Sequence, residues 1–211
     1  MFYRFSLIAI AVLVAACSDP KAANEKNFKV AIQKTLDAEY PKCYVTANFP
    51  ATVGAFDVSG NKANFKALVN AGLLSEKEES HEVAGYFGKK NVVVEPTFYL
   101  TEEGRKFYKA DAAKALMGGA VGGFCFGKAT VKEITQFTEP ADMGGIRASR
   151  VSFTYQVNDF PAWARLPETL FANTRLKADV ESEKTPIEGG DVLALTNNGW
   201  MSQLGAGMFG R

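Results

Sequence analysis

Ser149 to Asn158 reads SRVSFTYQVN. Val151, Phe153, Tyr155 and Val157 alternate with polar neighbours, which is the period of a strand with one buried and one wet face. A chain carrying such a segment must pair its backbone groups laterally and cover its apolar face, so this stretch commits the C-terminal half to a sheet. Neighbouring segments agree. Ala129 to Phe137 (ATVKEITQF) sets Val131, Glu133 and Thr135 against Thr130, Lys132, Ile134 and Gln136. Thr174 to Ser182 (TRLKADVES) and Asp191 to Thr196 (DVLALT) read as two further strands, and Asn197-Asn198-Gly199 as a turn before Trp200. Phe160 to Leu170 reads as an insertion with one helical turn.

The first half has another rhythm. Phe28 to Tyr40 sets positions 28, 31, 32, 35–36 and 40 at helical spacing, and Pro41 ends the run. Cys43 to Phe49 reads as a short strand. Asn64 to Leu74 predicts a second helix. Ser75 to Ser80 (SEKEES) reads as a solvated loop, and Val83–Phe87, Val92–Val94 and Phe98–Leu100 as three short strands. Thr101 caps a further helix, with Glu102 and Glu103 in the first turn where the dipole favours acids. That helix is expected to run towards Leu116 and stop at Gly118 and Gly119. The fold class is therefore α+β: a helical region over 28–117, a glycine-rich linker over 118–123, an antiparallel β region over 124–204 and a tail over 205–211.

Phe65 to Tyr108 resembles a winged-helix domain. FKALVNAGLL supplies a helix ending in Gly-Leu-Leu, a polar gap and strands stand where the wing would be, and Leu100-Thr101-x-x-Gly104 opens the following helix. The resemblance implies that shape. The helix before the wing reads DNA in that family, but here it runs into Glu76, Glu78 and Glu79, which would face phosphate badly.

The chain opens MFYRFSLIAIAVLVAACSDP. Arg4 is a short positive region, and Phe5 to Leu13 is an apolar run too short to cross a bilayer. This is the order of an export signal. Val14-Ala15-Ala16-Cys17 resembles the lipobox of bacterial lipoproteins. The resemblance implies a signal over 1–16, cleavage before Cys17, and acyl chains on Cys17 that anchor the protein to a membrane. Ser18 after the Cys implies the outer membrane, facing the periplasm. The alternative is an ordinary cleaved signal. Residues 17–27 read as the lipidated Cys followed by a flexible polar tether.

Charge and cysteines narrow the function. The chain has 24 Lys+Arg and 23 Asp+Glu; removing Arg4 with the signal balances them, so no bulk field draws the protein to nucleic acid. Cys43 and Cys125 remain, and two cysteines in an oxidising compartment are expected to form a disulfide. Two separate buried thiols are the alternative.

GGFCFGKAT, Gly122 to Thr130, has P-loop spacing with Ala129 in place of the hydroxyl residue. A P-loop needs a strand before and a helix after it; the expected order here is inverted, so no nucleotide is expected. His81 is the lone histidine, in an acidic stretch, and is read as solvated. No metal and no cofactor are expected, since one His and no cysteine pair at ligand spacing do not make a zinc site. Trp163, Trp200 and Phe160 are candidate aromatics for a ligand or partner, or core residues. The expected function is a lipid-anchored envelope protein that acts by binding or structural interaction, with an envelope protein as candidate partner and no catalytic residues assigned. The rivals are an envelope hydrolase using carboxylates, and a winged-helix regulator if the export signal is misread.

Overall fold

A computed structural model describes residues 19–84, 90–115 and 118–203. The fold is α+β and mostly sheet. Helix α1 (Glu25–Glu39) begins at Asn24, whose side chain accepts from Asn27 N at 2.9 Å. Its buried face is Phe28, Ala31, Ile32 and Leu36; of the spaced positions, Thr35 is only partly buried and Tyr40 is the C-cap. Strand β1 (Lys42–Thr46) and the two-residue β2 (Ala51–Thr52) lead to α2 (Asn61–Asn70). Then come β3 (Leu74–Ala84), β4 (Lys90–Leu100), α3 (Glu102–Phe107), β5 (Tyr108–Lys114) and β6 (Ala120–Phe126). The C-terminal half holds β7 (Lys128–Phe137), β8 (Ala141–Asp142), β9 (Arg147–Asn158), a 3-10 turn over Ala162–Arg165, α4 (Pro167–Ala172), α5 (Thr174–Glu181), β10 (Ile187–Thr196) and β11 (Gly199–Ser202).

The strands form three sheets. β6 is central between β1 and β5; β11, β10, β9 and β7 lie in that order with β8 beside β9; β4 lies between β2 and β3. All recorded pairings are antiparallel. One hydrophobic cluster runs from Phe28 on α1 through Phe65, Phe98 and Phe124 to Leu193 and Trp200. Among the described residues no helix is long and apolar enough to cross a membrane.

The edge of the large sheet is covered by α1. On β7, Val131 N donates to Gln33 Oε1 and Gln33 Nε2 donates to Ala129 O, both at 2.9 Å. Lys29 Nζ donates to Lys132 O, also at 2.9 Å. Helix side chains thus stand where a further strand would, which keeps other chains from adding there.

Several expectations are corrected. Ser75–Ser80 is not a loop but part of β3, because it pairs with β4 in an unbroken register from Leu74↔Leu100 to Ala84↔Lys90. Val83 and Ala84 belong to β3, and Val92–Val94 and Phe98–Leu100 both belong to β4; residues 85–87 of the first expected strand lie outside the described residues. The helix opened by Thr101 ends at Phe107, since Tyr108 turns into β5, pairs with Phe124 and donates its hydroxyl to Ala47 O at 2.9 Å. The expected linker is the β5–β6 turn at Gly118 and Gly119, both at positive φ, followed by the first half of β6. Thr174–Ser182 is helical, not a strand: Asn173 caps it by accepting from Leu176 N at 3.0 Å, and Leu176 and Asp179 turn inward together. The region 28–117 is consequently not a helical half, since it holds five strands beside its helices.

The tether is also shorter than expected. Asn27 Nδ2 donates to Asp19 O and to Ala22 O, both at 2.8 Å. Trp200 Nε1 donates to Lys21 O at 3.2 Å and to Ala22 O at 3.1 Å. From Asp19 onward the chain is fastened to the body.

The two halves of the Phe65–Tyr108 motif meet. Thr101 Oγ1 donates towards the Gly72 and Leu73 carbonyls at 2.8 and 3.0 Å and accepts from Gly104 N at 3.0 Å. Gly104 lies so close to this loop that a Cβ there would stand 2.0 Å from Leu73 O. Gly104→Ala is therefore expected to cost about 2–3 kcal/mol, by overpacking against backbone that cannot swing aside. Gly190→Ala, whose Cβ would meet only a carbonyl at 3.9 Å, is the control expected to be near neutral. Urea denaturation followed by circular dichroism checks both; equal midpoints for the two variants contradict the account.

Candidate functional site

Cys17 lies outside the described residues. Cys43 and Cys125 are joined by a disulfide, in a pair where β1 and β6 face each other directly. Phe160, Trp163 and Trp200 all lie in the core. Trp163 packs edge-on against Phe126 at 4.9 Å and Phe124 at 5.8 Å, and Trp200 against Phe28 at 4.9 Å. Their surface is spent on the protein's own side chains, so they do not line an open groove. His81 is half-buried rather than solvated, with Nε2 3.2 Å from Thr97 Oγ1. Thr97 is itself buried, so its hydroxyl cannot reach an external substrate. The Gly122–Lys128 stretch runs from β6 through a turn at Gly127 into β7, a strand–turn–strand rather than a phosphate loop.

The densest chemistry is a buried cluster that the sequence did not reveal. Asp179 on α5 is 4% exposed. Tyr40 donates its hydroxyl to Asp179 Oδ1 at 3.3 Å, and Lys42 Nζ donates to Asp179 Oδ2 at 3.3 Å and to the Tyr40 hydroxyl at 2.9 Å. Burial, then the Asp179 charge, pushes the Tyr40 and Tyr44 phenols far above their ordinary range. Tyr44 Oη feels that carboxylate but completes no hydrogen bond of good geometry. The Tyr155 phenol is raised by burial first and then by the charges of Asp179 and Glu39.

Two further acids flank the cluster. Glu39, at the end of α1, is raised mainly by burial and also by Asp191 and Asp179, while Lys42 opposes the shift. Asp191 on β10 is raised by burial against hydrogen bonds from Ser202 and Val192 N. These groups tie α1, β1, α5 and the large sheet together across long sequence distances. Asp179 already has two partners and little exposure, so the arrangement fastens the fold rather than presenting a base to a substrate.

The outer surface offers other features. A polar hollow of about 400 Å³ lies on the large sheet, bordered by Thr135, Ser152, Thr154 and Glu188. A groove of about 410 Å³ between α2 and α4 is bordered by Ala63, Ala67, Pro167 and the exposed Phe171. The most extended feature is the β3–β4 ribbon. Pairing places Glu78, Ser80 and Glu82 of β3 on one face with Pro96, Val94 and Val92 of β4. Val92 and Val94 are 68% and 64% exposed. β3 is the edge of its sheet, and β2 reaches β4 only at Thr97 and Phe98. Among the described residues, nothing does for β3 what α1 does for β7.

Acids dominate this ribbon, and part of their charge is answered locally. Lys66 meets Glu76 at 2.7 Å, Lys90 meets Glu82 at 2.5 Å, and Tyr99 donates to Glu79 at 2.5 Å. The signal for an edge strand was present in the sequence as alternating residues Glu76, Glu78, Ser80 and Glu82, but charge density disguised it as a loop. Among the described residues no group of three His, Cys, Asp or Glu side chains is placed to hold a metal ion.

Compared with protein-family models, curated proteins and solved structures, the chain matches none.

The Asp191 environment has a consequence for pH. A carboxyl whose folded-state pKa is raised binds its proton more tightly in the folded protein. Stability then rises as pH falls through the window between the unfolded and folded values, and is lower above it. Asp191→Asn is expected to stabilise the protein at pH 7, with the gain shrinking as pH falls through the carboxylate range. Urea midpoints at pH 7 and about pH 3.5 check this; a gain that grows on acidification contradicts it.

Proposed function

We propose that this chain is a lipid-anchored protein of the bacterial envelope, held on the outer membrane by Cys17 and facing the periplasm, which works by binding another envelope protein. The anchor rests on the lipobox-like Val14-Ala15-Ala16-Cys17 behind a charged and apolar start. The binding role is carried by one observation, the eleven-residue edge strand β3, which no other described residue covers as α1 covers β7, with exposed Val92 and Val94 on the strand beside it. The β7 edge is covered and, among the described residues, this one is open, which is the condition for a partner strand to add by backbone hydrogen bonds.

The occupant fitted by the surface is an extended cationic segment. Glu78 and Glu82 lie on the face that carries the valines. A partner strand whose every second residue is Lys or Arg would set those cations beside Glu78 and Glu82 on one face while its backbone pairs with β3. In this reading α2, the ribbon and α3 form a winged-helix-like unit turned to protein recognition. The same acids oppose a nucleic-acid phosphate chain.

Two measurements test the proposal. The intact mass of the protein from membranes is expected to begin at an acylated Cys17; an unprocessed chain overturns the anchor. A peptide of alternating Lys and Val is expected to bind the purified body, with affinity falling about tenfold in Glu78→Gln/Glu82→Gln and falling again with added salt. Binding that ignores both changes, or no binding at all, overturns the ribbon as the recognition element.

A further inference from the structure

The fastening of Asp19–Ala23 carries a consequence for how the protein meets its membrane. Four side-chain hydrogen bonds fasten this segment to Asn27 and Trp200, and a fifth shapes it from within. Asn27 Nδ2 takes Asp19 O and Ala22 O, Trp200 Nε1 takes Lys21 O and Ala22 O, and Lys21 N donates to Asp19 Oδ1 at 2.9 Å. Gly199 completes the seat: a Cβ there would stand 2.9 Å from Pro20 O, so the β10–β11 turn and the segment touch backbone to backbone. Trp200 is 7% exposed and wedged against Phe28, so its indole N–H is held in place by the core.

Cys17 is two residues from Asp19, and an extended chain spans at most about 7 Å over that distance. We infer that the protein has a short leash: the surface formed by Asp19–Lys21 and the β10–β11 turn is apposed to the lipid headgroups, and the body is held against the leaflet in one orientation. This inference rests on the proposed acylation of Cys17. The chemistry of the surface suits a headgroup layer. Asp19, Pro20, Lys21, Asn197 and Asn198 are exposed. Lys21 offers a cation to phosphate, and the two asparagine amides offer both donors and acceptors. Apart from the small Pro20 ring these side chains are polar and suit the headgroup layer rather than the acyl region. A free tether of ten residues would let the body rotate and drift by tens of ångströms; about 7 Å does not.

The test uses the full acylated chain in phosphatidylethanolamine–phosphatidylglycerol vesicles, with a photo-crosslinking residue in place of Asn198. Adducts to lipid are expected with the native leash. Inserting about twelve Gly and Ser residues between Ser18 and Asp19 is expected to lower the adduct yield at least fivefold, because the body then samples a far larger volume. Trp200→Phe keeps the ring against Phe28 but removes both indole hydrogen bonds, and is expected to lower the yield in the same direction. Intact mass is read on each sample. An acylated Cys17 with adducts that are absent, or indifferent to the insertion, overturns the short leash alone. An unacylated Cys17 overturns the anchor and the leash together.

Discussion

The pairing of β1 with β6 is the constraint on which the rest of the molecule depends. β6 carries Phe124 and Phe126 into the core, and Cys125 between them is bonded to Cys43 on β1. Trp163 presses edge-on against both phenylalanines. The staple thus fixes the strand against which the 3-10 turn packs. Through that turn it sets the start of α4 and α5, and so the position of Asp179. β1 in turn carries Lys42 and Tyr44 into the polar cluster. A covalent bond, an aromatic stack and a buried carboxylate network are consecutive layers of one assembly, so disturbance of the first reaches the last.

The same logic divides the surface. Where the protein closes itself, it does so with side chains drawn from distant elements: Gln33 on the β7 edge, Asn173 on Tyr44 O at 2.6 Å, Trp200 on the Lys21–Ala22 carbonyls. The β3–β4 ribbon lacks such closure among the described residues, and its charges are answered mostly by near neighbours. Unequal treatment of two edges in one chain is a firmer physical sign of purpose than exposure alone, because closing an edge costs only a few side-chain hydrogen bonds.

Periodicity made part of this legible. α1, α2, β9 and the β10–β11 turn follow from spacing and turn residues, and the disulfide follows from two cysteines in a chain expected to be exported. What failed did so for physical reasons. β3 was hidden because strand pairing with β4 outweighs the poor strand preference of consecutive acids. α5 was misread because Leu176, Ala178 and Val180 alternate, whereas Asn173 is a helix cap whose signal outranks that alternation. β5 was lost because a good cap at Thr101 says where a helix begins and nothing about where it ends. The polar cluster was beyond reach for a different reason: Tyr40 and Asp179 meet across a separation of 139 residues, and no local pattern encodes that.

The staple also raises a matter of timing. A chain exported from its N-terminus presents Cys17, then Cys43, and Cys125 only after a further 82 positions. The first two thiols to emerge are therefore the wrong pair, and joining them would cross-link the leader junction to β1. If Cys17 is acylated as proposed, its sulfur is a thioether and no longer a thiol that can compete for Cys43. In an anchored protein the modification that holds the body to its membrane would thus also proofread its disulfide, leaving Cys43 a single partner.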